Sequence, residues 1–404
     1  MFEPNRRRAR GVALALHRPC PACGSHQGNL LYVQRFARIE GVSILDGYEV
    51  VACAGCGYCF AHDVPDQAVF DAYYAAASKY DNAAQTPAHD QRRFAAIADD
   101  IVRVLPDRGA RILDLGCATG GLLAALRARG YRDLHGREPS PNCAATAREH
   151  FGLEVQEGSL FEGEVSGAPF DAVILVGVLE HLVDLPGALA RLRALLAPDG
   201  LAIVEVPDAM AFSQFPDAPF QQFSIEHVGY FSGASMANVF GAYGFAEVAA
   251  WSSLRDIVNG QDQVVTGVYR ATGAPRAPTA ERDTADAIAQ YVARCDVDDR
   301  LLHDRLAALG REAGPVVVWG CGSLTMRLLA VSPLRDLSIV GFIDGNPWYQ
   351  GHRLRGVLIE GPEALSRIDA SVLVCSFGSA AAIVRAISDR CGARRRVHTL
   401  VELG

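Results

Sequence analysis

The stretch from Arg111 to Leu123 constrains the fold more than any other part of the sequence. A short apolar run, Ile-Leu-Asp-Leu, is followed directly by the glycine-rich turn Gly-Cys-Ala-Thr-Gly-Gly and then by a helical pattern. Glycine tolerates backbone conformations and close approaches that other residues do not, so a ligand can lie against such a turn. A strand, a glycine-rich turn and a helix N-terminus together predict a nucleotide-binding cradle in an α/β fold.

Two carboxylates accompany this turn. Asp114 lies two residues before Gly116, and Glu138 lies near the end of the next apolar segment. A carboxylate about 20 residues beyond the glycines can accept hydrogen bonds from both hydroxyls of a ribose. The dinucleotide pattern G-x-G-x-x-G is not met, because Ala118 takes the middle position and Gly120 follows it. The pattern therefore favours a different nucleotide-like cofactor.

This turn resembles motif I of class I S-adenosylmethionine (SAM) methyltransferases, with alanine at the middle glycine. A carboxylate such as Asp114 is electrostatically favourable near a sulfonium. SAM is the expected cofactor, and the alternative is a Rossmann-like turn that holds no ligand. Ser159 and Leu160 occupy the positions at which SAM enzymes often bind the adenine of the cofactor. Many of these enzymes have aspartate at the position of Ser159. Gly177, which ends the next buried strand, is a further cofactor-binding candidate.

Two cysteine pairs precede this region. Each pair has two intervening residues and is followed directly by glycine, which is typical of a metal-binding knuckle. The four thiols are Cys20, Cys23, Cys53 and Cys56. Four thiolates suit tetrahedral Zn²⁺, and a site closed by four protein ligands is structural rather than catalytic. Cys59 and His62 lie nearby and are interpreted as bystanders.

The bulk composition narrows the functional class. A chain of 404 residues with 50% hydrophobic residues predicts two or three domains with a sizeable core. The net charge of −8 argues against a nucleic-acid partner bound through its phosphates. No apolar run approaches the length of a membrane span, and an odd number of cysteines without a signal peptide favours reduced thiols. We therefore expect a cytoplasmic protein that acts on a small molecule, as a monomer or a dimer.

Pattern changes along the chain predict three regions. Residues 1–85 form a zinc-binding module and connector, residues 86–272 a methyltransferase domain with a lid, and residues 273–404 a smaller Rossmann-like domain. In the third region, two helices at about 280–295 and 297–312 precede a second strand, glycine turn and helix. This second cradle either holds the nucleotide part of a substrate or uses its glycines only to turn the chain.

Several polar residues are candidates for catalysis. His181 follows a buried strand, where it is either a substrate base or a packing residue. Residues 212–231 include six aromatic residues, and this density predicts a lid over the active site. The predicted lid contains Glu226 and His227. A tyrosine-rich connector follows the zinc module, and its tyrosines either pack that module on the next domain or include a substrate contact, Tyr74 or Tyr80.

The whole chain resembles the sugar C-methyltransferase family, which acts on nucleotide-linked 4-keto deoxysugars. The matching residues are the four cysteines, Asp114-x-Gly116, Glu138 in Glu-Pro-Ser, His181, Glu226-His227 and Tyr230-Phe231-Ser232. The resemblance implies that His227 removes a proton beside the ketone and that the resulting enolate attacks the SAM methyl group. We further expect Glu226 to bind or orient the substrate and His181 to assist His227.

Other functions remain open at this point. The family usually has Tyr-His before Glu-His, whereas this chain has Ser224 and Ile225. An O- or N-methyltransferase of another small metabolite could use the same domains. A non-catalytic protein that binds SAM or a nucleotide is a third possibility.

Overall fold

The computed structural model describes residues 11–76, 87–215, 217–258, 260–312, 314–392 and 395–400. It is an α/β protein with three sheets of five, seven and six strands. No helix in these ranges has both the length and the apolar character needed to cross a bilayer.

The elements alternate between strands and helices through most of the chain. The strands are β1 Ala13–Ala15, β2 Gln27–Arg35, β3 Gly47–Cys53, β4 Cys59–His62, β5 Ile112–Leu115, β6 Leu134–Glu138, β7 Glu154–Glu157, β8 Phe170–Val176, β9 Leu196–Pro207, β10 Gly229–Tyr230, β11 Phe245–Ile257, β12 Gly260–Ala271, β13 Val316–Trp319, β14 Ile339–Ile343, β15 Arg353–Leu354, β16 Val357–Glu360, β17 Ser371–Val374 and β18 Val397–Thr399. The helices are α1 Gln67–Ala76, α2 Ala88–Val104, α3 Gly121–Ala128, α4 Pro141–Phe151, α5 Leu185–Leu195, α6 Gly233–Ala242, α7 Asp283–Glu312, α8 Ser323–Val331 and α9 Ala380–Cys391.

The chain divides into two compact units, and each contains a parallel sheet. The first unit comprises Met1–Tyr32, Val50–Phe212 and His227–Ile288. The second comprises Val33–Glu49, Ser213–Glu226 and Ala289–Gly404. Most of the segment predicted as a lid therefore packs within the second unit, where the ring of Phe223 meets the ring of Tyr291 edge-on at 5.3 Å.

The seven-stranded sheet lies in the first unit, with strand order β11, β12, β9, β8, β5, β6, β7. Strands β5 to β9 pair in parallel, and β12 is antiparallel to both β9 and β11. The chain moves from β5 outward to β7 and then crosses to β8 on the other side of β5. Open α/β sheets bind ligands at such a reversal, beyond the carboxyl ends of the strands.

Burial on both faces explains the apolar runs of the central strands. All four residues of β5 are buried, including Asp114, and the core beneath them is completed by helices α2, α3 and α4. Side chains cap the N-termini of two helices around this sheet. The side chain of Ser140 accepts a hydrogen bond from the N–H of Cys143 at the start of α4, and that of Asp184 accepts one from the N–H of Gly187 at the start of α5. These caps satisfy backbone donors that a helix leaves unpaired.

The five-stranded sheet has the order β1, β2, β3, β4, β10. Its last strand is contributed from a distant part of the sequence, since Gly229 pairs with Phe60 and Tyr230 pairs with Cys59. The segment directly after His227 is therefore held by backbone pairing against the region of the cysteine pairs.

The six-stranded sheet lies in the second unit, with order β15, β16, β14, β13, β17, β18. Strands β13, β14, β16, β17 and β18 pair in parallel, as expected for a Rossmann-like domain. The prediction of two helices before this sheet is wrong, because residues Asp283–Glu312 form a single helix of 30 residues. That stretch has no proline, and its single glycine lies in the last turn, so nothing in the sequence interrupts the helix.

Candidate functional site

The glycine-rich turn after β5 requires glycine at two positions. Gly116 has a φ of 74°, and a Cβ placed there would lie 2.7 Å from Cγ2 of Val178. Gly120 has a φ of 82°, and its Cβ would lie 2.5 Å from Cδ1 of Leu153. Both positions combine a left-handed backbone with a close neighbour, so any side chain would displace the turn. The glycines thus keep the chain close to β8 and to the end of α4.

Glu138 supports this turn from the end of β6. Its buried carboxylate accepts the N–H of Ala118 through Oε2 and the N–H of Ser140 through Oε1, both at 2.8 Å. Ala118 has a positive φ of 45°, and this hydrogen bond stabilises the conformation. The same carboxylate lies where a ribose is bound in nucleotide cradles of this kind.

Asp114 lies inside the protein between the turn and Glu138. Its side chain is buried, and this burial together with the charge of Glu138 raises the pKa of Asp114 to about 8. The two carboxylates give the base of the cradle an affinity for positive charge, because a cation would stabilise the ionised form of both.

Ser159 and Leu160 follow β7, beside Glu138. The N–H of Gly158 donates to the carbonyl of Glu138 at 3.0 Å, which fixes the loop next to that carboxylate. Ser159 and Leu160 are both buried. The Oγ of Ser159 donates to Oδ2 of Asp71 at 3.3 Å, and Asp71 lies on α1. Reasoning from sequence had not identified Asp71 as a candidate.

Gly177 ends β8 with a φ of 65°, and its N–H donates to the carbonyl of Glu205 at 2.9 Å. The turn that follows contains Leu179–His181, so Gly177 redirects the chain at the carboxyl end of the strand. This places Glu180 and His181 on the side of the sheet where ligands bind.

The structure brings His181 and His227 together. Their ring centroids are 4.9 Å apart with the planes at 76°. A backbone hydrogen bond holds the two segments in place, since the N–H of Val228 donates to the carbonyl of Glu180 at 2.8 Å. The buried carboxylate of Glu180 is adjacent, with Oε1 at 3.8 Å from Nε2 of His181. Two imidazoles and a carboxylate in one half-buried cluster can accept, hold and orient a proton.

Tyr74 of α1 completes this cluster. Its Oη lies 2.9 Å from Nδ1 of His181. Reasoning from sequence placed Tyr74 and Tyr80 together as aromatic candidates in the connector. Tyr80 lies outside the described residues, so its role as a substrate contact stays a prediction.

Glu226 belongs to the second unit, although His227 follows it in sequence. Its N–H donates to Oγ of Ser224 at 3.2 Å. Burial raises the pKa of Tyr349, and the negative charge of Glu226 raises it further. The role of Glu226 toward the substrate stays a prediction.

The four paired cysteines converge on one point. Cys20 and Cys56 have their sulfurs 3.7 Å apart, and those of Cys23 and Cys53 are 3.5 Å apart. All four sulfurs lie within 4.8 Å of one another. A tetrahedral Zn²⁺ with bonds of about 2.3 Å needs sulfur separations of about 3.8 Å, so the residues fit this ion.

The glycine that follows each cysteine pair permits the turn that brings the two thiols together. The N–H of Gly24 donates to Cys20 and that of Gly57 to Cys53, at 2.8 and 2.9 Å, and both glycines have positive φ. A Cβ at Gly57 would overlap the carbonyl oxygen of Glu281 at 1.5 Å. Glycine at position 57 therefore serves both the turn and the packing of the module.

Cys59 and His62 lie apart from the four-cysteine cluster. Cys59 is fully buried, which raises the pKa of its thiol, and its Sγ contacts the carbonyl of Gly57 at 3.3 Å. His62 instead stacks on His17 with ring centroids 5.8 Å apart and lies 3.4 Å from Oδ1 of Asp63.

The second unit repeats the arrangement seen around Glu138. Asp344, after β14, accepts the N–H of Cys321 at 2.6 Å and that of Asn346 at 2.7 Å. Gly320 has a φ of 104°, and a Cβ there would lie 2.9 Å from the carbonyl oxygen of Cys375. The carboxylate and the glycine thus stabilise the turn, and burial raises the pKa of Asp344.

Comparison with known proteins identifies the central part of the chain. Residues 89–250 match the family model described as a methyltransferase domain. A segment is 35% identical over 104 residues to the ubiquinone biosynthesis O-methyltransferase of Azorhizobium caulinodans, covering 24% of this chain and 41% of that protein. The protein of the same name from Caulobacter sp. is 41% identical over 109 residues, with coverage of 24% and 41%. The chain thus spans about two fifths of the length of these curated relatives.

Among solved structures, the magnesium protoporphyrin IX methyltransferase of Synechocystis PCC 6803, with bound S-adenosylhomocysteine, is similar in fold. It is 15% identical, with a TM-score of 0.38, and the match covers 50% of this chain and 99% of that one. The family match thus covers residues 89–250 as a methyltransferase domain, and the glycine turn and Glu138 lie within this range.

Proposed function

We propose that this protein is a SAM-dependent methyltransferase that methylates a carbon atom of a nucleotide-linked keto deoxysugar. The observation that carries the proposal is the placement of two histidines, His181 and His227, at the carboxyl end of β8 in the domain that carries the nucleotide cradle. A methyl donor and a base at one edge of the sheet are the two requirements of carbon methylation.

The cradle is suited to SAM in charge and in shape. Glu138 lies at the end of β6 with lone pairs for the ribose hydroxyls. Asp114 and Glu138 together favour a cofactor that carries positive charge near the turn. When bound, SAM supplies an electrophilic methyl group on a sulfonium, and the remaining steps depend on the residues of this chain.

His227 is the proposed base. It takes the proton from the carbon beside the ketone, and the electron pair of that C–H bond forms the enolate. The enolate carbon then bonds to the methyl group as the carbon–sulfur bond breaks, which leaves S-adenosylhomocysteine. His181 lies against His227, and the Tyr74 hydroxyl orients His181 through a hydrogen bond with its Nδ1. Glu180 is a buried negative charge that stabilises an imidazolium in this cluster.

The remaining regions have supporting roles in this proposal. The four cysteines hold a structural Zn²⁺, which fixes the module that carries α1. The second Rossmann-like domain binds the nucleotide part of the substrate near Gly320 and Asp344, and Glu226 binds or orients the sugar. The carboxylate of Asp344 accepts two backbone N–H groups, one on each oxygen. Each oxygen has a second lone pair, which can accept a hydrogen bond from the substrate.

Oxygen methylation of a small metabolite is the second candidate. It is favoured by the names of the curated relatives, which are O-methyltransferases, over a segment that covers 24% of this chain. A base is required in that reaction also, but the proton comes from a hydroxyl rather than from carbon.

The fate of the carbon-bound proton separates the two reactions. Purified protein is incubated in D₂O with nucleotide-linked keto deoxysugars, and deuterium incorporation beside the ketone is followed by mass spectrometry, with and without labelled SAM. We expect exchange and carbon-bound label in the wild type and no exchange in His227→Ala. His181→Ala provides the comparison, because exchange lost in that variant but retained in His227→Ala would reverse the two roles.

Methylation without loss of a carbon-bound proton would contradict the carbon assignment and support O- or N-methylation. The contribution of the C-terminal domain is measured separately. Removing residues 275–404 should abolish nucleotide-sugar binding while SAM binding persists, with the fold of the truncated protein checked by circular dichroism. Undiminished sugar binding would assign that domain a structural role.

A further inference from the structure

Helix α1 presents one polar face to the methyltransferase domain. Gln67, Asp71 and Tyr74 are spaced by four and three residues, which places them on the same side of a helix. Oε1 of Gln67 accepts the backbone N–H groups of Val183 at 2.8 Å and Asp184 at 3.2 Å. These two bonds fix the N-terminal end of α1 against the loop that follows His181.

Asp71 reaches the loop after β7 from this helix. Its Oδ1 accepts from Nε2 of Gln67 at 2.9 Å, and its Oδ2 accepts from Oγ of Ser159 at 3.3 Å. Each oxygen therefore has one described donor and a second lone pair. The carboxylate is half-buried, and burial raises its pKa. A further donor from a ligand would stabilise the ionised form.

Ser159 itself has little capacity left for a ligand. Its Oγ accepts the N–H of Phe161 at 3.2 Å while it donates to Asp71. Its N–H donates to Oε2 of Glu162 at 2.9 Å, and its carbonyl accepts from Nε of Arg137 at 2.7 Å. At this point of the site, the side chain that can accept a hydrogen bond from a ligand is therefore Asp71 rather than Ser159.

The loop at Ser159 lies beside the carboxylate expected to hold the ribose. Glu138 and Glu157 are direct partners in the pairing of β6 with β7, and Gly158 donates its N–H to the carbonyl of Glu138. A nucleoside whose ribose is bound at Glu138 can place its base toward β7 and this loop.

We propose that Asp71 accepts a hydrogen bond from the exocyclic amine of the adenine of SAM. The helix next to the zinc module thereby supplies the carboxylate that the sequence lacks at position 159. Adenine offers an amine donor at this point, whereas its deaminated counterpart hypoxanthine offers a carbonyl acceptor that a carboxylate repels. Asp71 is thus a specificity residue for the base, and this inference rests on the proposed use of SAM.

The test compares the binding of S-adenosylhomocysteine with that of S-inosylhomocysteine by titration calorimetry of the full chain. The wild type should bind the adenosyl compound about 10- to 100-fold more tightly, which is the worth of one hydrogen bond to a charged acceptor. Asp71→Ala should lose most of this preference. Asp71→Asn, which keeps the shape, should lose or reverse it, because its amide can donate to the hypoxanthine carbonyl.

Tyr74→Phe is the matched control, because Tyr74 lies on the same helix face but contacts His181 instead of Ser159. Its ratio of the two affinities should equal that of the wild type. A wild-type preference that survives in both Asp71 variants would overturn the role of Asp71 and leave the cofactor assignment intact. A wild type that binds neither compound would overturn the cofactor assignment as well.

Discussion

Oη of Tyr74 lies 2.9 Å from Nδ1 of His181, although 107 residues separate them in sequence. Their rings also meet edge-on, with centroids 5.7 Å apart. A side chain from α1 thereby fixes the orientation of a histidine at the end of β8. Since His181 in turn lies against His227, the orientation of the proposed base depends on a helix outside residues 89–250.

Removing the Tyr74 hydroxyl should reduce catalysis more than binding. Tyr74→Phe keeps the ring but loses the hydrogen bond to His181, so we expect kcat to fall about three- to tenfold, the worth of one such bond. The dissociation constant of SAM should be unchanged. Tyr73→Phe removes a hydroxyl from the neighbouring residue of α1 and serves as the control. Equal losses of kcat in both variants would indicate that the helix has moved, and would contradict a specific role of Tyr74.

His227 should be the most important side chain for turnover. His227→Ala should lower kcat by about 10²- to 10⁴-fold, the usual contribution of a general base. SAM affinity should be preserved, because the proposed cofactor cradle is formed by the glycine turn and Glu138. Steady-state kinetics with a calorimetric SAM titration measure both quantities. A fall in kcat of less than tenfold would show that another group removes the proton.

The sequence was sufficient to predict the regular core of the methyltransferase domain. The apolar runs around Asp114 and in residues 170–176 are long enough to specify buried parallel strands, and the glycines after Asp114 specify the turn into the next helix. The knuckle spacing of the cysteines likewise predicted their convergence. These are local patterns, and each depends on a few consecutive residues.

Contacts between distant segments were harder to predict. Gln67, Asp71 and Tyr74 share one face of α1, but nothing local in the sequence indicates which loop that face meets. Which loop that face meets is decided by packing against the rest of the chain, and a single sequence does not report that packing. The division of helix 283–312 into two was wrong for a different reason, since this stretch has no proline and its single glycine lies in the last turn.

The four-cysteine cluster predicts about one equivalent of zinc per chain. Cys20→Ser and Cys56→Ser should give insoluble or unfolded protein, because the binding energy of such a site is folding energy on the order of 10 kcal/mol. Elemental analysis and thermal denaturation test this. Cys59→Ala is the control, since this buried thiol lies outside the cluster, and it should retain zinc. Metal-free wild-type protein with unchanged stability would refute the assignment.

Glu138 should matter both to SAM binding and to the turn itself. Glu138→Ala removes the acceptor of two backbone N–H groups, and it should weaken SAM binding by roughly 1.5–3 kcal/mol. The melting temperature should also fall. Glu157→Ala, at the paired position on β7, breaks an exposed ion pair with Arg148, the one side-chain contact of Glu157 within the described ranges, and should change either quantity little. Equal SAM affinity in Glu138→Ala and the wild type would contradict the cradle assignment.

Asp114 should make the stability of the cofactor-free protein decrease as pH rises. Its pKa is raised to about 8 in the folded protein, against about 3.9 in an unfolded chain. Between these values the folded state holds a proton that the unfolded state has lost, so the free energy of unfolding falls by up to ~1.4 kcal/mol per pH unit and levels off above pH 8. Asp114→Asn should remove this contribution. Urea denaturation of both proteins between pH 5 and 9 measures the difference, and parallel curves would contradict it.

Binding of SAM should release the proton of Asp114. The sulfonium and ammonium groups favour an ionised carboxylate nearby, so the cofactor lowers the pKa of Asp114 from about 8 toward its ordinary range. At pH 7, where the carboxyl is mostly protonated without cofactor, we expect release of up to about one proton per SAM bound. Calorimetry in two buffers with different ionisation enthalpies measures this number directly. Asp114→Asn should bind SAM without proton release, and an equal release in both proteins would assign the titrating group elsewhere.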